Sequence, residues 1–183
     1  IHGDYYILCF ITFSSTGYTN PYTENEINIF CPYPFWIKEN TYEFMKHEDV
    51  PGANEFLDFE YDFEYDYMSG TSGQGKITNQ GAGPAHYRLI LYGAANNPYI
   101  NIDGVTIGVN TSIRSDEYVV IDSRDHTVYR YASNGSRTNI YNNRTKSQSI
   151  FEKIAAGTHT VVWPGTFGFD LTILEERSEP KWS

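Results

Sequence analysis

Residues 58 to 67 alternate strictly between acidic and aromatic side chains, in the order Asp-Phe-Glu-Tyr-Asp-Phe-Glu-Tyr-Asp-Tyr. Because successive side chains of an extended strand point to opposite faces, the aromatic residues share one face and the carboxylates the other. A helix, with about 3.6 residues per turn, would mix the two sets. The carboxylates recur about every 7 Å along their face and repel one another. The segment therefore predicts a β-strand whose acidic face meets water or a partner.

The rest of the chain has the composition of an all-β protein. It holds 16 Tyr, 11 Phe and 3 Trp, with many β-branched residues in short runs that Gly, Asn and Pro separate. Runs of this length and spacing indicate a sandwich or a barrel. The predicted strands are residues 5–13, 26–31, 41–45, 61–68, 75–79, 87–92, 99–102, 105–110, 117–122, 127–131, 158–163 and 167–175.

Turn and linker signals divide these strands. Asp103-Gly104 predicts a two-residue type I′ hairpin turn, because glycine tolerates the positive φ that this turn requires. Residues 148–154, ahead of two alanines and Gly157, predict one helical turn, and residues 133–145 read as a polar loop. Residues 45–52 combine charge with a Pro-Gly pair and predict a linker. A boundary near residue 50 is therefore expected between an N-terminal segment and a main sandwich.

The charge of the chain argues against several partners. Its formal net charge is −10, and its 13 Lys and Arg residues are dispersed, whereas phosphate binding needs clustered cations. Apolar runs are strand-sized and fall short of the roughly 20 residues of a membrane-spanning helix. We therefore expect neither nucleic acid nor membrane as a partner. The first residues lack the basic region of a signal peptide, and the missing initiator Met predicts a trimmed or partial chain.

The residues that most often carry catalysis form no recognisable constellation. Cys9 and Cys31 are too few for a disulfide scaffold and lie in apolar runs, which predicts reduced, buried thiols. The sequence also lacks a Gly-x-Ser-x-Gly elbow. Five histidines occur singly, without the spacing of metal ligands, and are expected at ordinary surface or core positions: His2, His47, His86, His126 and His159. We expect no enzyme activity and no cofactor.

Residues 70–76, Gly-Thr-Ser-Gly-Gln-Gly-Lys, match the spacing of a phosphate-binding loop. Ile77 stands where a Ser or Thr hydroxyl should hold magnesium, and the residues that follow are a poor start for the helix that such a loop opens. The glycines instead predict a flexible hairpin loop.

The acidic ladder is the one candidate site. Calcium takes six to eight oxygens that curve around the ion, whereas alternating residues of a flat strand do not converge. Neighbouring carboxylates also meet the separation of a glycosidase pair, but here the strand repeat alone produces that distance. The favoured interpretation is an outward strand that faces a partner or water. Its candidate interaction residues are Asp58, Glu60, Asp62, Glu64 and Asp66.

Seven segments, in order, resemble the distal tail proteins of long-tailed phages that infect Gram-positive bacteria. The resemblance covers nearly the whole chain. Ala94 stands where the family has proline, and the first part of the family's first domain is absent. The matching segments are residues 5–11 (YYILCFI), 30–36 (FCPYPFW), 61–67 (YDFEYDY), 91–98 (LYGAANNP), 117–122 (EYVVID), 149–154 (SIFEKI) and 176–182 (ERSEPKW).

The resemblance implies a structural virion protein. Rings of such proteins, usually hexameric, join the tail tube to the tip and the host-recognition apparatus. Residues 1–50 would then be the C-terminal part of the ring-forming domain, and residues 51–163 a galectin-like β-sandwich of jelly-roll type. Residues 164–183 would return to the first domain. The expected partners are other tail proteins (tail tube, tip or receptor-binding protein), in the virion tail tip and, during assembly, in the host cytoplasm. The acidic ladder would then face a tip protein, a receptor-binding protein or water.

Two other functions stay open at this stage. A carbohydrate-binding module is possible because galectin-like sandwiches hold sugars against aromatic faces. Trp36, Trp163 and Trp182 lie at strand ends or termini, however, where packing is the ordinary role. A wall-degrading enzyme of the tail tip would need a pair of carboxylates or a metal in a cleft.

Overall fold

The computed structural model describes residues 4–19, 21–46 and 73–179. These residues form β-strands, with a single 3₁₀ turn at Tyr141–Asn143. The prediction of an all-β protein is confirmed. The strands are β1 Phe10–Thr19, β2 Tyr22–Phe30, β3 Trp36–Phe44, β4 Gly73–Asn79, β5 His86–Tyr92, β6 Ala95–Asn96, β7 Tyr99–Ile102, β8 Val105–Gly108, β9 Ser112–Ile113, β10 Tyr118–Asp122, β11 Thr127–Tyr131, β12 Arg137–Asn139, β13 Gly157–Trp163 and β14 Phe169–Arg177.

The chain divides into two compact units. One comprises Ile1–Asn40 with Leu174–Ser183, and the other comprises Thr41–Ile173. The division falls within β3 and β14, so each of these strands contributes to both units. The sequence boundary expected near residue 50 lies outside the described residues.

The larger unit is a β-sandwich. One sheet has the strand order β12-β11-β10-β5-β14-β3, the other the order β4-β13-β7-β8, and β6 pairs with β9. Along β5 burial alternates, with Tyr87, Leu89 and Leu91 wholly buried, which is the period-two pattern of a strand with one face on a core. Ile77 of β4 and Val161 of β13 belong to the same apolar cluster. The inward faces of the two sheets therefore enclose one core.

Three aromatic rings fill one part of this core and explain the glycines of β4. Phe44 and Phe169 stack with their centroids 4.5 Å apart, and Trp163 meets both edge-on at 5.2 Å. A Cβ atom on Gly73 would overlap the Trp163 indole, and one on Gly75 would overlap the Phe44 ring. Residues 73–76 therefore form a strand that aromatic rings approach closely. The prediction of a flexible loop is wrong for this part of the motif, and residues 70–72 lie outside the described residues.

Some local predictions are confirmed and others are wrong. Asp103 and Gly104 have φ of 47° and 93°, and Ile102 pairs with Val105 across their turn, as the type I′ prediction requires. Residues 148–154 do not form a helical turn. Ile154 instead exchanges backbone hydrogen bonds of 2.9 Å with Ala85, and the Tyr87 hydroxyl donates to the Ile150 carbonyl. These tertiary contacts replace the local bonds of a helix.

The smaller unit contains the hairpin of β1 and β2. β1 begins five residues after the start of the predicted strand 5–13 and ends six residues beyond it, and β2 begins four residues before the predicted strand 26–31. Tyr6 exchanges backbone hydrogen bonds of 3.0 Å and 2.8 Å with Ile37. The buried Glu175 accepts a hydrogen bond of 2.6 Å from the Asn40 side chain.

Candidate interaction surface

The hairpin of β1 and β2 is the most exposed apolar element among the described residues. Its strands pair antiparallel from Phe10↔Phe30 to Thr19↔Tyr22, with one irregularity between Ile11 and Phe13. Cross-strand partners share a face, and residues two apart on β2 also share a face. The register therefore divides the side chains of the hairpin into two sets on opposite faces.

One set, here called the aliphatic face, contains Ile11, Tyr18, Ile27 and Ile29. Ile11 pairs with Ile29, and Tyr18 lies further along the same face, where it is 85% exposed. Between them the Thr16 hydroxyl donates a hydrogen bond of 2.9 Å to the Asn25 side chain. All eight residues of this face in the paired register are uncharged: Ile11, Ser14, Thr16, Tyr18, Thr23, Asn25, Ile27 and Ile29.

The opposite set, here called the aromatic face, contains Phe10, Phe13, Tyr22 and Phe30, with Glu24 and Glu26 between them. The four rings are exposed, and Phe10 and Phe30 are direct cross-strand partners. Glu24 and Glu26 are the only charged residues of the two strands. The two faces thus carry similar apolar content and different charge.

This exposure is unusual for a folded element. Every residue of β2 is exposed, whereas on β5 alternate residues are buried. A hairpin of two strands is only marginally stable in water unless a face is covered, and contiguous exposed apolar residues mark interaction sites. The hairpin therefore has the character of an element that packs against another molecule.

A disulfide bond closes the open end of the hairpin. Cys9 immediately precedes β1, Cys31 immediately follows β2, and the two are bonded with their Cα atoms 4.3 Å apart. The prediction of reduced, buried thiols is wrong, and Cys9 is exposed. The hairpin register explains the pairing, because continuing it one step beyond Phe10↔Phe30 brings the two cysteines opposite each other.

A cleft of about 190 Å³ in the larger unit is a second candidate site. Its apolar wall includes Ile102, Ile107 and Ile154, and Asp103 and His159 lie among its polar residues. His159 Nδ1 donates a hydrogen bond of 2.6 Å to Asp103, and Nε2 donates one of 2.8 Å to the Ala155 carbonyl. The Thr160 amide donates a further bond of 2.9 Å to Asp103.

Both ring nitrogens of His159 face acceptor oxygens, which only the imidazolium satisfies by donating from each. Burial lowers the pKa of His159, but its hydrogen bonds to Asp103 and Ala155 outweigh burial, and the pKa lies above its ordinary value. The hydrogen bonds from His159 and the Thr160 amide hold the pKa of Asp103 below its ordinary value. The pair is thus a local clamp whose polar atoms already have partners within the protein.

Three tyrosines lie side by side on the outer face of β5, β10 and β11. Tyr118 pairs with Tyr92 on one side and with Tyr131 on the other. The rings of Tyr118 and Tyr131 are parallel with centroids 5.0 Å apart, so each partly covers the other's face. Tyr92 donates a hydrogen bond of 2.6 Å to Asp170, and burial together with this bond raises the pKa of Tyr92 to about 12. Rings stacked on each other leave less free ring face for a sugar.

The five predicted interaction residues, Asp58, Glu60, Asp62, Glu64 and Asp66, lie in residues 47–72, outside the described part of the chain. Their role stays a prediction, as does the strand predicted over residues 61–68. Within the described residues, no group of three or more His, Cys, Asp or Glu side chains could hold a metal ion.

No family model matches the chain, and no curated protein matches its sequence. In residues 4–19, 21–46 and 73–179, none of the helical structure is long and apolar enough to cross a bilayer.

Proposed function

We propose that this chain is a structural component of a phage tail, the distal tail protein whose ring joins the tail tube to the tip. The observation that carries the proposal is the β1–β2 hairpin, with four large apolar side chains exposed on each face. Such an element is suited to a protein that completes its packing in an assembly. In a ring, contacts that are individually weak are repeated around the symmetry axis.

Two further features support the proposal. Seven segments resemble the distal tail family in the same order along the chain. Leu174–Ser183 also groups with Ile1–Asn40 in one unit, and in the distal tail family the C-terminal strand returns to the first domain. The role requires no reaction, and the proposed partners are further copies of the chain and other tail proteins.

Electron microscopy of the full-length protein tests this role. We expect rings, hexameric by the family resemblance, and a larger complex when the tail-tube protein is added. Antibody labelling of virions should place the protein at the junction of tube and tip. A full-length protein that forms no ring, binds no tail protein and is absent from virions would contradict the proposal.

The acidic ladder belongs to the same proposal as a surface for tail partners. Changing Asp58, Asp62 and Asp66 to Asn, and Glu60 and Glu64 to Gln, removes five charges with little change in side-chain size. Pull-down with purified tip proteins should weaken if the ladder is a contact surface. Unchanged binding would leave these carboxylates only a role in solvation.

A further inference from the structure

The aliphatic face of the hairpin is uncharged in a chain that is strongly acidic. Two copies, each with a net charge of −10, repel one another over most mutual orientations. Close approach costs least where neither surface carries a carboxylate. The aliphatic face meets this condition, whereas the aromatic face would bring Glu24 and Glu26 of the two copies together.

The side chains of the aliphatic face also suit contact with an identical face. Ile11, Ile27 and Ile29 are β-branched residues that pack well on pleated surfaces. Ile27 is 53% exposed and Ile29 is 62% exposed, so both have apolar area left to bury. Sheets packed face to face lie about 10 Å apart, a spacing that such side chains fill.

We propose that two copies of this chain associate by packing their aliphatic faces together. The proposal rests on the role of the hairpin as an assembly element, and it adds the partner and the face. A contact between identical faces is two-fold, so its product is a pair. A ring requires head-to-tail contacts between different surfaces. Pairing and ring formation are therefore separate properties.

The size of the face sets the strength of the contact. A ten-residue strand at about 3.3 Å per residue, paired with one neighbour about 4.8 Å away, presents a footprint of about 300 Å². A stable complex buries about 800 Å² on each partner. The pair should therefore be weak, with a dissociation constant between about 1 μM and about 1 mM.

Sedimentation equilibrium of the purified, disulfide-bonded chain over this concentration range measures the association. Ile27→Thr combined with Ile29→Thr retains β-branched residues, and hence strand propensity, while removing apolar area. We expect this double variant to weaken the pair about tenfold or more. Circular dichroism and thermal unfolding verify that each variant is folded.

Phe13→Thr combined with Phe30→Thr is the matched control. These rings lie on the aromatic face of the same hairpin and are 48% and 59% exposed, close to the values of the two isoleucines. The control should retain the dissociation constant of the unmodified chain. A chain that stays monomeric at about 1 mM, or equal weakening by both double variants, overturns the proposal.

The measurement also separates this proposal from the tail-protein role. If the chain pairs through its aliphatic face but is absent from virions, the pairing proposal holds and the tail-protein proposal fails. If the isolated chain is monomeric but rings with tail proteins form even when Ile27 and Ile29 are both changed, the tail-protein proposal holds and the pairing proposal fails.

Discussion

Asn79 shows how one side chain can hold several segments of the larger unit. It is 2% exposed, and its side-chain nitrogen lies 3.0 Å from the carbonyl oxygens of Gly83, Ile154 and Ala155. Its oxygen accepts a hydrogen bond of 2.9 Å from the Gly81 amide. Asn79→Ala would remove this donor from one buried and two part-buried carbonyl contacts and should lower the free energy of unfolding by about 1–3 kcal/mol, measured in urea.

Asn134 provides the matched control for Asn79. Its side-chain oxygen accepts a bond of 2.9 Å from the amide two residues later, the same local contact, but at an exposed position. Asn134→Ala should change the free energy of unfolding by about 0.5 kcal/mol or less. Equal losses for the two variants would show that the interior contacts of Asn79 add little.

The clamp between His159 and Asp103 predicts a dependence of stability on pH. Because the pKa of His159 is raised on folding, its contribution is complete below about pH 6.5 and is lost as the pH rises through the folded-state pKa. Because the pKa of Asp103 is lowered, its contribution is complete above about pH 3.9 and is lost as the pH falls. The clamp should therefore stabilise most between about pH 4 and about pH 6.5.

NMR titration of the His159 ring and urea unfolding at about pH 5.5 and about pH 8.5 measure this effect. His159→Gln should reduce the loss of stability between these two pH values. The control is His126→Asn, at an exposed position whose φ of 53° asparagine tolerates. This variant should lose as much stability between the two pH values as the unmodified protein does. A His159 ring that titrates below about pH 6.5 contradicts the argument.

At the level of elements, the disulfide bond is expected to stabilise the β1–β2 hairpin of the smaller unit. Cys9 and Cys31 are 22 residues apart, and a bond closing a loop of this length stabilises by about 3 kcal/mol. Cys9→Ser combined with Cys31→Ser should speed amide exchange in β1 and β2 by about a hundredfold. Exchange at Leu89, in the core of β5, should stay unchanged. Equal acceleration in β1 and β5 would mean that the two units unfold together.

Most strands of the larger unit could be predicted from the sequence because each carries its own signal. The short strands β6, β9 and β12 were not predicted, and β12 lies within residues 133–145, where the prediction of a polar loop is wrong. Residues 87–92 alternate in burial as their apolar spacing indicates, and Asp103-Gly104 fixes the turn between β7 and β8. The hairpin was harder to predict. Its distal half is mostly Ser, Thr, Asn and Glu, and cross-strand backbone pairing rather than apolar spacing sets its length.

The candidate sites depend on contacts between distant residues, which a linear pattern does not reveal. Asp103 and His159 meet because β13 pairs with β7, where Val161 lies opposite Ile102. The cysteine pairing depends in the same way on the register of β1 with β2. One signal was present for the hairpin: two strand-like runs, with a cysteine next to each, separated by Pro21.

For the whole molecule, a net charge of −10 and an uncharged contact face predict how the dissociation constant of the proposed pair depends on salt concentration. Repulsion between two copies is screened over about 10 Å at 0.1 M salt and over about 3 Å at 1 M. The proposed pair has no ion pair across its contact to lose. Its dissociation constant should therefore fall as sodium chloride rises from about 0.05 M to about 0.5 M, whereas an interface held by ion pairs would weaken.

Charge variants locate the source of this salt dependence. Glu24→Gln combined with Glu26→Gln removes the charges of the hairpin, and Asp116→Asn combined with Asp125→Asn removes the same number from the larger unit. If repulsion near the contact dominates, the hairpin variant should tighten the pair more at low salt. If the net charge alone matters, the two variants should tighten it equally. A dissociation constant that rises with salt would instead indicate attraction between opposite charges, which an uncharged face cannot provide, and would exclude the aliphatic face as the contact.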